Sequence, residues 1–104
     1  MTQKEFNQLT EKLNKYSLEI MNSKRPEYTN QDSDVLNNFK STARRLDVSA
    51  MKVWATFFEK QIQSVYAHIK NANLKKSEPI QSRFADIINY CYLGYALFKE
   101  RDKK

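Results

Sequence analysis

Along the first quarter of the chain, apolar residues fall at Phe6, Leu9, Leu13, Tyr16 and Ile20. Steps of three and four residues place them on one face of an α-helix. Thr2 is positioned to cap this helix and Pro26 to end it, so an N-terminal helix is expected over residues 1–25. The polar run from Glu27 to Asp34 reads as a loop. A short second helix is expected from Asp34 to Leu46, with Leu36, Phe39, Ala43 and Leu46 turned inward. Asp47-Val-Ser49 interrupts it, and Ser49 is a natural N-cap for a third helix over Ala50–Asn71. Its inward face reads Met51, Trp54, Phe58, Ile62, Val65 and Ile69, widened by Val53, Phe57 and Tyr66. After a second polar connection over 71–76, Ser77 caps a fourth helix running from Glu78 to Arg101, with Pro79 in its first turn.

In that fourth helix, positions 80, 84, 87, 91, 94 and 98 form one stripe, read as the inward one. Ile88, Leu93, Tyr95 and Leu97 carry apolar character around the rest of the cylinder. A helix apolar on most sides is central to its domain or shared with another subunit. No alternating strand pattern and no hairpin dipeptide occur. The expected fold is therefore all-α: a compact bundle of about four helices in one domain, 1–104, with a frayed basic tail at 99–104 and helix-mediated homo-oligomerisation.

Composition narrows the chemistry. The 104 residues include one glycine, one cysteine and one histidine. A single glycine, Gly94, cannot build a phosphate-binding loop, and on the inward stripe it permits close helix packing instead. Cys91 alone makes neither a disulfide framework nor a Cys-rich zinc site, and it is expected to be buried and inert. His68 alone excludes the paired-histidine metalloprotease arrangement, and no carboxylate within one turn orients it as a base. The formal charge of +6 favours anionic partners, either nucleotides, nucleic acid or an acidic host protein surface. No secretory apolar segment is evident, and the longest apolar run, about twelve residues, is short of the roughly 20 that cross a membrane. A cytoplasmic location without a membrane partner is expected.

The most informative polar set lies on the fourth helix. Arg83, Asp86 and Asn89 share a stripe at three-residue spacing, with Tyr90 beside them. Asp86 and Asn89 interrupt an apolar run, where polar groups are costly unless partnered. They could bond a ribose or base, while Arg83 and Lys60 of the third helix hold phosphate, and Tyr28 or Tyr90 stacks. The alternative is an Arg83–Asp86 surface pair with Asn89 bridging helices. Helical Mg²⁺ phosphohydrolases use paired carboxylates on facing helices, because a hard cation wants several anionic oxygens. Here Glu59 and Asp86 are the candidate metal ligands, but Asn89 replaces one carboxylate and Ile62 another. No catalytic residue or cofactor is therefore assigned, and Mg²⁺ enters only if the chain is an enzyme.

The strings Tyr28-Thr-Asn, Asp34-Val-Leu-Asn-Asn-Phe39, Val53-Trp54, Lys60 and Ser77-Glu-Pro-Ile followed by Arg83-Phe-Ala-Asp86-Ile-Ile-Asn89-Tyr90 resemble the nucleotide modification associated domain 1 family of small phage proteins. The similarity spans about residues 27–100. A more distant likeness, through Asp86-x-x-Asn89, is to the all-α nucleotide pyrophosphatases of the MazG type, whose carboxylate quartet is incomplete here. The resemblance implies an all-α fold, a phage origin and a connection with nucleotides. Three functions follow as expectations. The first is a module holding a nucleotide or cyclic nucleotide without turnover, sequestering a signal used in host defence. The others are a basic protein that binds a host protein or nucleic acid, and a Mg²⁺-dependent nucleotide pyrophosphatase.

Overall fold

A computed structural model describes residues 1–29, 34–71 and 79–103, and of 25–29 the backbone alone. Among these, four helices follow in order: α1 Gln3–Thr29, α2 Asn37–Leu46, α3 Ala50–Lys70 and α4 Ile80–Arg101. The all-α reading therefore holds. The expected loops and Ser77 fall mostly on residues outside those described.

Local chemistry explains the boundaries. Thr2 Oγ1 accepts from the Glu5 amide at 3.1 Å, and Glu5 Oε1 accepts from the Thr2 amide at 3.2 Å. This reciprocal capping box satisfies two amides that the first turn leaves without helical partners. The helix passes through Pro26 to Thr29 instead of stopping at 25. A proline near a helix end removes a single backbone bond, a smaller penalty than in the middle. α2 begins at Asn37, later than Asp34, because Asp34 forms a turn. Its carboxylate accepts from the Leu36 amide at 3.0 Å and its carbonyl from the Asn37 amide at 3.1 Å. Asp47 ends α2 in the left-handed conformation, φ 55°, and returns its amide to the Ala43 carbonyl. Ser49 caps α3 by accepting from the Lys52 amide at 3.1 Å, as the spacing indicated. Pro79 rather than Ser77 precedes the first turn of α4, and the helix continues to Arg101, so most of 99–103 is ordered helix and not a frayed tail.

The buried apolar cluster joins α2, α3 and α4 through Leu36, Phe39, Ala43, Val53, Leu93 and Leu97. Phe39 is its hub, with ring centroids 6.3 Å from Tyr90 and 6.4 Å from Phe57. Met21 is the contribution of α1 to this cluster. Trp54, early in α3, donates its indole N–H to the Tyr90 carbonyl at 2.7 Å and stacks on Phe58 at 5.0 Å. A Cβ on Gly94 would lie 2.9 Å from Trp54 Nε1 and nearer still to two of its ring carbons. Gly94 therefore permits the close approach of α3 and α4. The early residues of α3 meet the later residues of α4, so these two helices run antiparallel.

Several expected faces are corrected. α4 buries Ala85, Asp86, Asn89, Leu93, Gly94 and Leu97, whereas Ile80, Phe84, Cys91 and Phe98 of the supposed inward stripe are exposed. Cys91 is thus at the surface, not buried. Leu46 is 64% exposed and Ile69 72%, and Phe6, Leu9, Phe57 and Tyr66 also face solvent. The cause is common to all of them. Four helices of this length carry more apolar residues than one small core can enclose.

Candidate functional site

α1 crosses α4 on a polar seam. Asn89 is fully buried and donates its side-chain amide to the Ser17 carbonyl at 2.9 Å. Ser17 is fully buried too, its hydroxyl bonded to the Asn14 carbonyl at 2.8 Å. Asn89 Oδ1 has no hydrogen-bond partner among the described residues. On the same side of α4, Tyr16 and Ser82 share a hydroxyl–hydroxyl bond of 2.8 Å. Lys24 Nζ lies 3.8 Å from the buried Asp86 carboxylate.

Of the residues singled out from sequence, Asp86 and Asn89 therefore face α1 and hold the helix pair together. This matches the helix-bridging alternative for Asn89. Asp86 has Lys24 as an ionic partner. Tyr90 is half-buried against Phe39, and its hydroxyl is held above the usual phenol range by burial, with the Asp86 carboxylate adding to the effect. It is not an exposed stacking platform. Arg83 is half-buried one turn before Asp86, whereas Lys60 and Glu59 are exposed on α3. Tyr28 lies in the last turn of α1, and its side chain is outside the described residues. The structure brings Asp86, Asn89 and Tyr90 together on neighbouring positions, and all three serve packing, Asp86 and Asn89 against α1 and Tyr90 against Phe39.

Glu59 does not join Asp86 in a metal site. It is exposed and sits about 140° around α3 from Trp54, the residue that faces α4, while Asp86 points towards α1. Among the described residues no group of three or more His, Cys, Asp or Glu side chains could hold a metal ion.

Two features were missed from sequence. Ser17 falls between Leu13 and Ile20 on the apolar stripe of α1, and a serine at that spacing was the available signal for a buried polar contact. Gln61 and His68 on α3 each carry a buried polar atom, Oε1 and Nε2, without a hydrogen-bond partner among the described residues. Their seven-residue spacing puts both on one face of α3. Because α3 and α4 run antiparallel, that part of α3 runs alongside the half of α4 that carries Arg83.

An apolar concavity lies elsewhere. A groove of about 600 Å³ runs between the start of α1 and the start of α4, lined by Met1, Leu9, Leu13, Ile80 and Phe84, with Glu5 and Lys12 at its edge. Phe84 also begins the exposed apolar face of α4, so groove and face are continuous. No helix among the described residues is long and apolar enough to cross a membrane. No protein-family model matches the chain, and no curated protein or solved structure is similar to it.

Proposed function

We propose that this chain is a binding module that acts by helix-to-helix association with protein, through the apolar surface shared by α1 and α4. The observation that carries the reading is the continuity of the groove with exposed Ile80, Phe84, Tyr95 and Phe98. Isolated exposed apolar residues are ordinary on protein surfaces, whereas a contiguous apolar tract rimmed by charge marks an interaction site. The homo-oligomer expected from α4 is the simplest form of such association. An acidic host protein, drawn by the net charge of +6, is a second form.

Leu9→Glu and Phe84→Glu test this reading. Both side chains are exposed, so each variant is expected to keep its helical circular dichroism and melting temperature. Each should also lose at least tenfold in affinity for a panel of amphipathic helical peptides that bind the parent chain. Loss of folding in both variants, or peptide affinities that do not change, would refute the reading.

A second reading is supported by the buried atoms of Gln61 and His68 that have no hydrogen-bond partner among the described residues, on the α3 face that runs along the Arg83 half of α4. Buried polar atoms without partners call for an explanation, and a bound hydrogen-bonding molecule is one. An anionic, nucleotide-like ligand held there without turnover suits Arg83 as the phosphate contact. It also agrees with the resemblance to phage nucleotide-associated proteins and with a role in counter-defence. Thermal shift with mono-, di- and cyclic nucleotides checks it, since a ligand specific to the folded state raises the melting temperature. The shift should vanish in Arg83→Ala. If no nucleotide shifts the transition, this second reading fails and the first is untouched.

A further inference from the structure

The exposed face of α4 has the pattern of a helix–helix seam. From Phe84 the apolar residues Ile88, Cys91, Tyr95 and Phe98 follow at intervals of four, three, four and three. That is the 3.5-residue repeat by which one helix packs lengthwise on another. Phe84, Cys91, Tyr95 and Phe98 are exposed, and Tyr95 is the most open at 67%. The core-forming residues of α4 occupy the opposite side, so among the described residues the seam is met within the chain by Arg101, whose guanidinium lies 4.7 Å over the Phe98 ring, and by the start of α1 beside Phe84.

We infer that the occupant is a second copy of this chain, docked antiparallel along α4 with Cys91 at the two-fold axis. The inference rests on reading the chain as an interaction module and names its partner. Three observations support it.

The first is area. The chain exposes 7811 Å², whereas a compact monomer of its mass, 12.4 kDa, exposes about 6,100 Å². The excess, roughly 1,700 Å² over the whole chain, α1 included, exceeds the approximately 800 Å² that each partner contributes to a standard interface. The radius of gyration agrees: 15.7 Å, against about 13 Å for a compact domain of this length.

The second is self-complementarity. Cys91 is the midpoint of Phe84 and Phe98, and Ile88 and Tyr95 stand three residues before it and four after it. Reversing one copy about Cys91 therefore lays Phe84 on the partner's Phe98 and brings Ile88 within one residue of the partner's Tyr95. A two-fold interface requires this kind of self-matching patch.

The third is charge. The last turn of α4 is basic, with Lys99 and Arg101, whereas the groove at the other end of the seam carries one acid, Glu5, and one base, Lys12. Antiparallel docking separates the two basic turns, sets each against the charge-balanced groove end of the other copy, and opposes the two helix dipoles. Parallel docking would place the two basic turns side by side.

Sedimentation equilibrium of the full chain, combined with thiol cross-linking, tests the inference. The expected result is a dimer that a short bis-maleimide converts to a covalent pair through Cys91 and that Cys91→Ser leaves uncrosslinked. In the Cys91→Ser background, Phe84→Cys and Phe98→Cys proteins should cross-link when mixed and not when each is alone. Tyr95→Glu should give a monomer of unchanged helicity, while Tyr66→Glu, exposed on α3, leaves the dimer intact. A dimer that fails to cross-link at Cys91, or that survives Tyr95→Glu, overturns the seam. Self-cross-linking of Phe84→Cys and of Phe98→Cys alone overturns the antiparallel arrangement. A monomer at all concentrations overturns the dimer. If that monomer still binds amphipathic peptides through Leu9 and Phe84, the interaction-module reading stands without it.

Discussion

Gly94→Ala is the sharpest test of how α3 and α4 meet. In an isolated helix the substitution would stabilise by about 1 kcal/mol, because glycine loses more backbone freedom on folding than alanine. Here the added Cβ would sit 2.9 Å from Trp54 Nε1 and closer to two indole carbons. The indole has little freedom to retreat. It is stacked on Phe58 at 5.0 Å and tied to the Tyr90 carbonyl by a bond of 2.7 Å. Overpacking of this kind costs about 1–3 kcal/mol. Freeing the indole N–H from its acceptor in a half-buried site adds about 1–3 kcal/mol. After the propensity gain the expected net loss is about 3 kcal/mol, or roughly 15 °C in melting temperature for a domain of this size. Urea unfolding, followed by circular dichroism and by the fluorescence of the single tryptophan, measures it. The decisive control is Trp54→Phe, which removes the indole atoms that the methyl would strike. In that background Gly94→Ala should become neutral or stabilising, a coupling visible in a double-mutant cycle. A Gly94→Ala protein as stable as the parent would refute the close approach of the two helices.

Other substitutions read the remaining contacts. Asn89→Ala should destabilise by about 1–3 kcal/mol in chemical denaturation, since it deletes a fully buried side chain and its bond to Ser17. Full stability in that variant would return Asn89 to the candidate ligand contacts. Lys40 bridges Asp34 at 2.6 Å and Glu100 at 2.5 Å, tying the turn before α2 to the end of α4. Its hydrogen bond to Lys40, and then that to the Leu36 amide, hold the Asp34 carboxyl below its ordinary range. A depressed folded pKa means the contribution is present above the unfolded value near pH 4 and is lost as pH falls through the lower folded value. Because these groups are well solvated, Lys40→Met should cost less than about 1 kcal/mol at neutral pH and low salt, and less still in high salt or strong acid. Tyr90 should be late in the tyrosinate absorbance titration. Its raised pKa favours the neutral folded form, so its contribution is complete below the unfolded value near 10 and disappears as pH climbs through the folded one.

The helices were legible because three-and-four spacing and cap residues are local signals. Thr2 and Ser49 act where their positions indicated, and the lone glycine marks a close helix contact. The orientation of α4 was not legible, for a physical reason. Its apolar residues surround the cylinder, so periodicity cannot tell the core side from an exposed seam. The core took the side carrying Ala85, Leu93 and Gly94, whose small or branched side chains let α3 approach. That choice exposed Phe84, Cys91 and Phe98. The candidate site was half legible. Asp86 and Asn89 were recognisable as polar groups in need of partners, but those partners, Lys24 and Ser17, lie more than sixty residues away on α1. Pairings of that range are set by how helices dock, which no window of sequence contains.

The seam between α1 and α4 also fixes position along an axis. An apolar helix face can slide by a turn against its neighbour and find much the same attraction. The bond from Asn89 to the Ser17 carbonyl, with Lys24 beside Asp86, removes that indifference. A displacement of one turn, about 5.4 Å, would strand a buried amide and a buried carboxylate at once. Such contacts add little net stability, yet they make neighbouring registers expensive. The long first helix is thereby held at a single setting, and with it the two walls of the apolar groove stay in alignment.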